Sequence, residues 1–259
     1  MDELLYEVRG DGIAMATLNR PQARNALTFP MYERIARIAE EIAEDPAVRV
    51  LVITGAGGKA FAAGTDISQF RDFRTAEDAL AYEERVDRVL VALERCPKPT
   101  IAAIAGACTG GGAAIAAVCD LRIAAANLRF GFPIAKTLGN CLSMANYARL
   151  AALLGPARVL DLIYTARLVE AEEAKAIGLV SEVLPTPEAL AERALELART
   201  VAGHAPLTLR ATKEAMRRLR EAARSVNGDD LVTMCFTSAD FREGVEAFLA
   251  RRPANWQGR

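Results

Sequence analysis

The strongest constraint on this chain is a run of twenty residues, Thr100 to Cys119, that carries no charge. A membrane-spanning helix is the first structure to consider, since about 20 apolar residues cross a bilayer. The composition excludes it. Four of the twenty are Gly and half of the rest are Ala, whereas a spanning helix is dominated by Leu, Ile, Val and Phe. The run reads instead as a short buried strand (Thr100 to Ala105), a glycine turn, and an alanine-rich helix beginning near Gly111. A strand–Gly–helix junction leaves backbone N–H groups pointing out of the helix start, where they carry partial positive charge. Such a place suits close backbone packing, or an anion, including a carbonyl oxygen that becomes anionic during a reaction. Two familiar phosphate loops are excluded. A P-loop needs Lys then Ser or Thr after its last Gly, but Gly110-Gly111-Gly112 runs into Ala113-Ala114. A dinucleotide fingerprint needs G-x-G-x-x-G, which neither this turn nor Gly55-Ala56-Gly57-Gly58 completes.

The rest of the composition narrows the class. At 259 residues the chain holds one large α/β domain, or one with a helical appendage. Its 32 Lys and Arg nearly cancel 33 Asp and Glu, so it has no basic field for nucleic acid. The stretch MDELLYEVRG is acidic and lacks an apolar signal core, which predicts a cytoplasmic protein with no membrane association. Cys96, Cys108, Cys119, Cys141 and Cys235 form no C-x-x-C pair and read as reduced, small core residues. The single histidine, His204, cannot build a multi-histidine metal centre, and no metal is expected.

In chain order, Glu3 to Val8 and Ile13 to Leu18 alternate around Gly10-Asp11-Gly12, a hairpin signal. Thr28 and Pro30 open a helix along Met31, Ile35, Ile38 and Ile42. Arg49 to Thr54 is a strand whose VLVI centre predicts burial on both faces. A second glycine loop, Gly55 to Ile67, follows, then a helix over Ala76 to Arg95. A strand is predicted over Leu121 to Ala125, and Arg129 to Met144 lacks a clean period and reads as a functional loop. Helices are predicted near 143–154, 156–165 and 171–177, with a strand over Leu179 to Leu184. From Pro187 the chain is helical, with breaks at Gly203 to Ala205 and near Asn227-Gly228. The two glycine loops share a plan, since each follows a buried strand and the two lie about fifty residues apart. If those strands stack as successive turns of a coil, both loops open into one crevice.

Several blocks in order resemble the crotonase (enoyl-CoA hydratase/isomerase) superfamily: NRPQARNAL (19–27), ITGAGGKAFAAGTDI (53–67), KPTIAAIAGACTGGG (98–112), RFGFP (129–133), AEEAKAIGLVSEV (171–183) and DFREGVEAFLARRPANWQGR (240–259). The resemblance implies an α/β fold, a spiral of β-β-α turns over residues 1–185, with an acyl-CoA site. It also implies a C-terminal helical oligomerisation region over 186–259, packing trimers or hexamers. Coenzyme A would enter as part of the substrate thioester, with no separate cofactor. Position by position, the resemblance assigns two oxyanion-hole N–H donors to Thr65 and Gly111. It places Ala62, Ala63, Gly64, Asp66, Ile67 and Gly110 along the substrate, and Arg24 near the coenzyme phosphates.

The departure lies in the acid–base groups. Hydratases of the family carry one glutamate three residues after the middle glycine and another after the Pro of F-G-x-P; here these are Ala114 and Ile134. No Asp or Glu occurs between Asp120 and Asp161. Each positioned acid or base contributes roughly 10²–10⁴-fold, so ordinary hydration is expected to be weak. A carboxyl group lost from a malonyl-type thioester yields an enolate without an enzymic base, and Asn140, Cys141, Ser143 and Lys136 are candidates to orient it. Asp66, Gln69, Tyr82 and Glu83 could reach the pocket from the other side. The alternative is a catalytically silent thioester binder or partner subunit. Replacing Gly111 by Val is expected to stop turnover with a modest effect on folding, and the pocket is expected to be apolar and short of ionisable groups. Leu231, Met234, Cys235, Phe236, Phe241, Val245 and Phe248 are more apolar surface than terminal helices bury alone, which predicts packing against a neighbour.

Overall fold

The computed structural model describes residues 2–71, 73–221 and 228–258. β1 (Leu4–Val8) and β2 (Ile13–Leu18) form the expected antiparallel hairpin. α1 (Phe29–Glu44) starts at Thr28, whose side chain accepts from the Met31 N–H, and buries Met31, Tyr32, Ile35, Ile38 and Ile42. Three windings of strand, strand and helix follow. The first is β3 (Val50–Gly55), β4 (Ala60–Ala63) and α2 (Ala76–Arg95). The second is β5 (Thr100–Ile104), β6 (Ala107–Thr109) and α3 (Gly111–Val118). The third is β7 (Leu121–Ala125), β8 (Arg129–Gly131) and the single-turn α4 (Ile134–Thr137). Beyond them come α5 (Met144–Leu154), α6 (Pro156–Thr165), β9 (Val169–Glu170), α7 (Ala171–Ala176) and β10 (Glu182–Leu184). The chain closes with α8 (Pro187–Ala202), α9 (Pro206–Glu221), α10 (Asp229–Phe236) and α11 (Ala239–Leu249).

Because each winding repeats, its strands stack in parallel on those of the next. One sheet has the order β1-β2-β3-β5-β7-β10 and the other β4-β6-β8-β9. This is the spiral of β-β-α turns. The side-chain alternation of a strand explains the unbroken VLVI run of β3. Leu51 and Ile53 face the core under α1, α2 and α3, while Val50 and Val52 face Leu190, Ala194, Ala198 and Val201 of α8. The first helix of the 186–259 region thus completes the core of the spiral. α10 packs on α2, and α11 on the segment after β4.

Several elements differ from the sequence expectation. The glycine loop 55–67 contains β4, and the turn after Ala105 contains β6. The functional loop 129–144 begins with β8 and holds α4. The strand over 179–184 shortens to β10. Strands of three or four small residues span too few positions to show a period of two. Phe236, Phe241 and Val245 are buried within the chain, while Leu231, Met234 and Phe248 stay exposed. The expected break at Asn227 lies outside the described residues. Among the described residues no helix is long and apolar enough to cross a membrane.

Candidate active site

The spiral brings the ends of β4 and β6 side by side, since the strands pair with Ala63 opposite Thr109. Each strand is followed by a glycine with positive φ, Gly64 at +94° and Gly110 at +51°. Side chains rarely adopt that conformation, and a Cβ on Gly110 would lie 3.4 Å from the Gly64 Cα. The two loops therefore meet backbone to backbone and open into one cavity of about 160 Å³. Ala63, Gly64, Thr65 and Ile67 line it from the first loop; Thr109, Gly110, Gly111 and Ala114 line it from the second. Gly111 begins α3, whose start has no side-chain cap. Among the described residues, neither the Thr65 N–H nor the Gly111 N–H finds an acceptor.

The opposite walls are Phe70, Tyr82, Glu83 and Val86 on one side, and Phe132, Ile134, Leu138 and Leu142 on the other. Ala114 and Ile134 both face the cavity, so the two positions at which the resemblance implies glutamates are alkyl here. The pocket is nevertheless not free of ionisable groups. Glu83 is 7% exposed and lines it; its Oε2 accepts from the Ser143 N–H at 3.2 Å. Burial raises its pKa from 4.5 to about 7; hydrogen bonds from Ser143 oppose the rise, and nearby Asp87 adds to it. Among the described residues no cation lies within ion-pair distance of it. Asn140 lines the cavity too; its Nδ2 donates to the Cys141 carbonyl at 3.3 Å, and its buried Oδ1 has no partner.

A hydroxyl chain runs behind the loops. Thr65 Oγ1 lies 2.9 Å from the Tyr32 hydroxyl and 2.8 Å from that of Tyr82. Burial raises both tyrosine pKa values, which keeps them neutral. The Tyr32 hydroxyl occupies the space beside Gly111: a Cβ there would sit 1.8 Å from that oxygen. Tyr32 is wholly buried, so Gly111→Val disturbs the packing as well as the site, against the modest folding effect expected. Gly112 is equally constrained, because its Cβ would meet the Ala62 carbonyl at 2.5 Å. The triple glycine thus serves close packing whatever else it does.

Several sequence candidates fall elsewhere. Cys141 is outside the cavity lining, with its Sγ 3.3 Å from the Leu231 carbonyl and beside Cys235. Asp66 turns away to Arg20, at 2.9 Å, and to Ser68, which hold its carboxyl below its ordinary pKa against the effect of burial. Ala62 is buried under α3 rather than facing the cavity. Arg24 is exposed on the turn before α1, its carbonyl accepting from the Ala63 N–H at 3.0 Å. Tyr32, Phe70, Val86 and Asn146 were not singled out from the sequence. Tyr32 and Val86 sit on the buried stripes of α1 and α2, a pattern that reads equally as core. Among the described residues no group of three or more His, Cys, Asp or Glu could hold a metal ion.

The family model for enoyl-CoA hydratase/isomerase matches residues 9–259. The chain belongs to the enoyl-CoA hydratase/isomerase family. A crotonyl-CoA hydratase of Syntrophomonas wolfei is 37% identical over 248 residues, covering 94% of each chain. An enoyl-CoA hydratase/carnithine racemase of Magnetospirillum magneticum superposes with a TM-score of 0.81 at 35% identity, covering 100% of this chain and 97% of that one. A methylmalonyl-CoA decarboxylase in complex with 2-nitronate-propionyl-CoA superposes with a TM-score of 0.88 at 26% identity, covering 100% and 99%. Within the enoyl-CoA hydratase/isomerase family, then, this member keeps the paired glycine loops and lacks carboxylates at positions 114 and 134.

Proposed function

We propose that this protein processes an acyl-CoA thioester through an enolate whose oxygen is held by the Thr65 and Gly111 N–H groups, without ordinary hydration. The observation that carries this reading is the pair of N–H groups without acceptors at one cavity, beside alkyl side chains at 114 and 134. Two fixed donors at a dry site stabilise an oxyanion strongly, and the uncapped start of α3 adds its partial positive charge. Hydration needs a second device, a base for water, and both positions that supply it in the family are alkyl. Decarboxylation of a malonyl-type thioester does not need one. Its C–C bonding electrons pass into the enolate and CO2 leaves. The apolar walls, Phe70, Val86, Phe132 and Ile134, solvate a carboxylate poorly, which favours its loss to a delocalised anion. The likeness to a methylmalonyl-CoA decarboxylase supports the same reading. The cavity, about 160 Å³, has room for a short acyl group. In this reading the coenzyme arm follows Ala63 and Gly64, with Arg24 at the mouth for its phosphates.

The test is an assay with malonyl-CoA, methylmalonyl-CoA and crotonyl-CoA, together with binding of a nitronate thioester as a stable enolate mimic. CO2 release is expected, with crotonyl-CoA hydration at least ~10³-fold below an ordinary hydratase. The nitronate is expected to bind at least ~10²-fold more tightly than propionyl-CoA. Hydration at an ordinary rate would overturn the chemistry, and nitronate binding without turnover would establish the silent binder.

We also propose self-association into trimers or hexamers through α9, α10 and α11. Leu207, Leu219 and Met234, exposed at 76%, 68% and 63%, are the apolar residues it would cover. Sedimentation of a monomer at micromolar concentration would exclude it.

A further inference from the structure

Within the enolate reading, we propose that Glu83 is the proton-transfer group of the cavity, acting at the α-carbon of the bound thioester. Among the described residues it is the one carboxyl group on the cavity wall. It reaches the site from α2, on the wall of Tyr82 and Val86, whereas the family's glutamate positions lie on α3 and α4. The Ser143 N–H fixes one oxygen, which orients the group without supplying a full counter-charge. A carboxyl group held this way by burial exchanges protons near neutrality, where catalysis by a general acid or base is most efficient. The ionisable groups about it are Asp87 and Tyr82 on its own helix, Tyr32 of α1, Cys141, and Tyr147 of α5. None of these is a cation, and Asp87 raises the affinity of Glu83 for its proton. Asn140 Oδ1, buried and without a donor, marks the same cavity as a place where a proton-bearing group is wanted.

The step balances in both directions. As a carboxylate, Glu83 takes the α-hydrogen as a proton, the C–H electrons form the enolate, and the oxygen charge passes to the two N–H groups. As a carboxylic acid, it returns a proton to that carbon, including after CO2 has left, and is reprotonated by solvent. The acid form needed after decarboxylation also spares a carboxylate substrate from a like charge.

The test follows exchange of the propionyl-CoA α-hydrogens with deuterated water by mass spectrometry, beside affinity for the nitronate thioester. The unmodified protein is expected to exchange faster as pH rises to about 7 and then level off. Glu83→Gln is expected to lower exchange at least ~10²-fold and erase that limb, while nitronate affinity stays within about threefold. Glu83→Asp is expected to retain the limb and part of the rate, which a purely structural role would not produce. Nitronate binding with exchange unchanged in Glu83→Gln, or absent from the unmodified protein, overturns the assignment and leaves the enolate reading standing. If the unmodified protein neither prefers the nitronate nor exchanges, the enolate reading fails and this assignment falls with it.

Discussion

The helix α2 carries two buried glutamates, eleven residues or about 16 Å apart, in opposite electrostatic settings. Glu94, 3% exposed, meets Arg149 at 3.1 Å, and Arg149 in turn meets Asp87 at 2.5 Å and the Asn146 Oδ1 at 3.0 Å. Glu83, 7% exposed, has an amide from Ser143 and no cation among the described residues. The two ends of one helix teach that burial alone does not tell what a carboxylate is for. Where a buried charge is paired, it holds α2 to α5 and its removal damages the fold. Where it is buried with an amide but, among the described residues, no cation, its proton is held more tightly and its removal is expected to relieve the fold.

The paired end should show the larger effect. Arg149→Met removes the 3.1 Å partner of Glu94 and the 2.5 Å partner of Asp87, leaving Glu94 with Arg220 at 3.6 Å, and is expected to cost about 3 kcal/mol in urea unfolding, the low end for a broken buried pair. The double variant Arg149→Met, Glu94→Gln is expected to recover most of that loss. No recovery would mean that Arg149 acts through shape rather than charge, and the contrast with Glu83 would weaken.

The unpaired end should respond more mildly and with the opposite sign. Glu83 holds its proton more tightly in the fold than in the unfolded chain. Its contribution to stability is therefore complete below pH 4.5 and lost as pH rises through about 7. The rise in pKa amounts to about 3 kcal/mol. Glu83→Gln is thus expected to gain up to about 3 kcal/mol over the unmodified protein at pH 8.5 and close to nothing at pH 4.5. A loss of stability at pH 8.5 would erase the distinction between the two glutamates.

Much of this was legible in the residues. The block Lys98 to Gly112 gave strand, glycine junction and helix, and its repeat in Arg49 to Ile67 gave the two loops facing one crevice. The short strands were not legible, because Ala60 to Ala63 and Ala107 to Thr109 are small residues without alternation and take their form from neighbouring windings. Glu83 was visible as a nearby acid, but its weight was not. The signal was its place on the stripe Ala79, Glu83, Val86, Leu90, Leu93, where an apolar residue belongs. The same stripe runs on to Glu94, which the structure neutralises with Arg149, and no local pattern separates the two fates. That separation depends on α5 and the Asn140 to Ser143 loop, which arrive from some sixty residues away.

The contact between Tyr32 and Gly111 has a consequence for how such a protein can change over generations. The tyrosine oxygen occupies the volume that any side chain at 111 would need, and it also touches Thr65. Two positions seventy-nine residues apart in the sequence are thereby epistatic: the order in which they mutate matters. A descendant that gains a side chain at 111 first meets a collision in a wholly buried place, and is lost before any benefit can accrue. One that first trades Tyr32 for a smaller residue frees the volume, at the cost of a hydroxyl contact and a cavity. The accessible route to a remodelled second loop therefore begins in α1, on a residue that lies behind the cavity wall rather than in it.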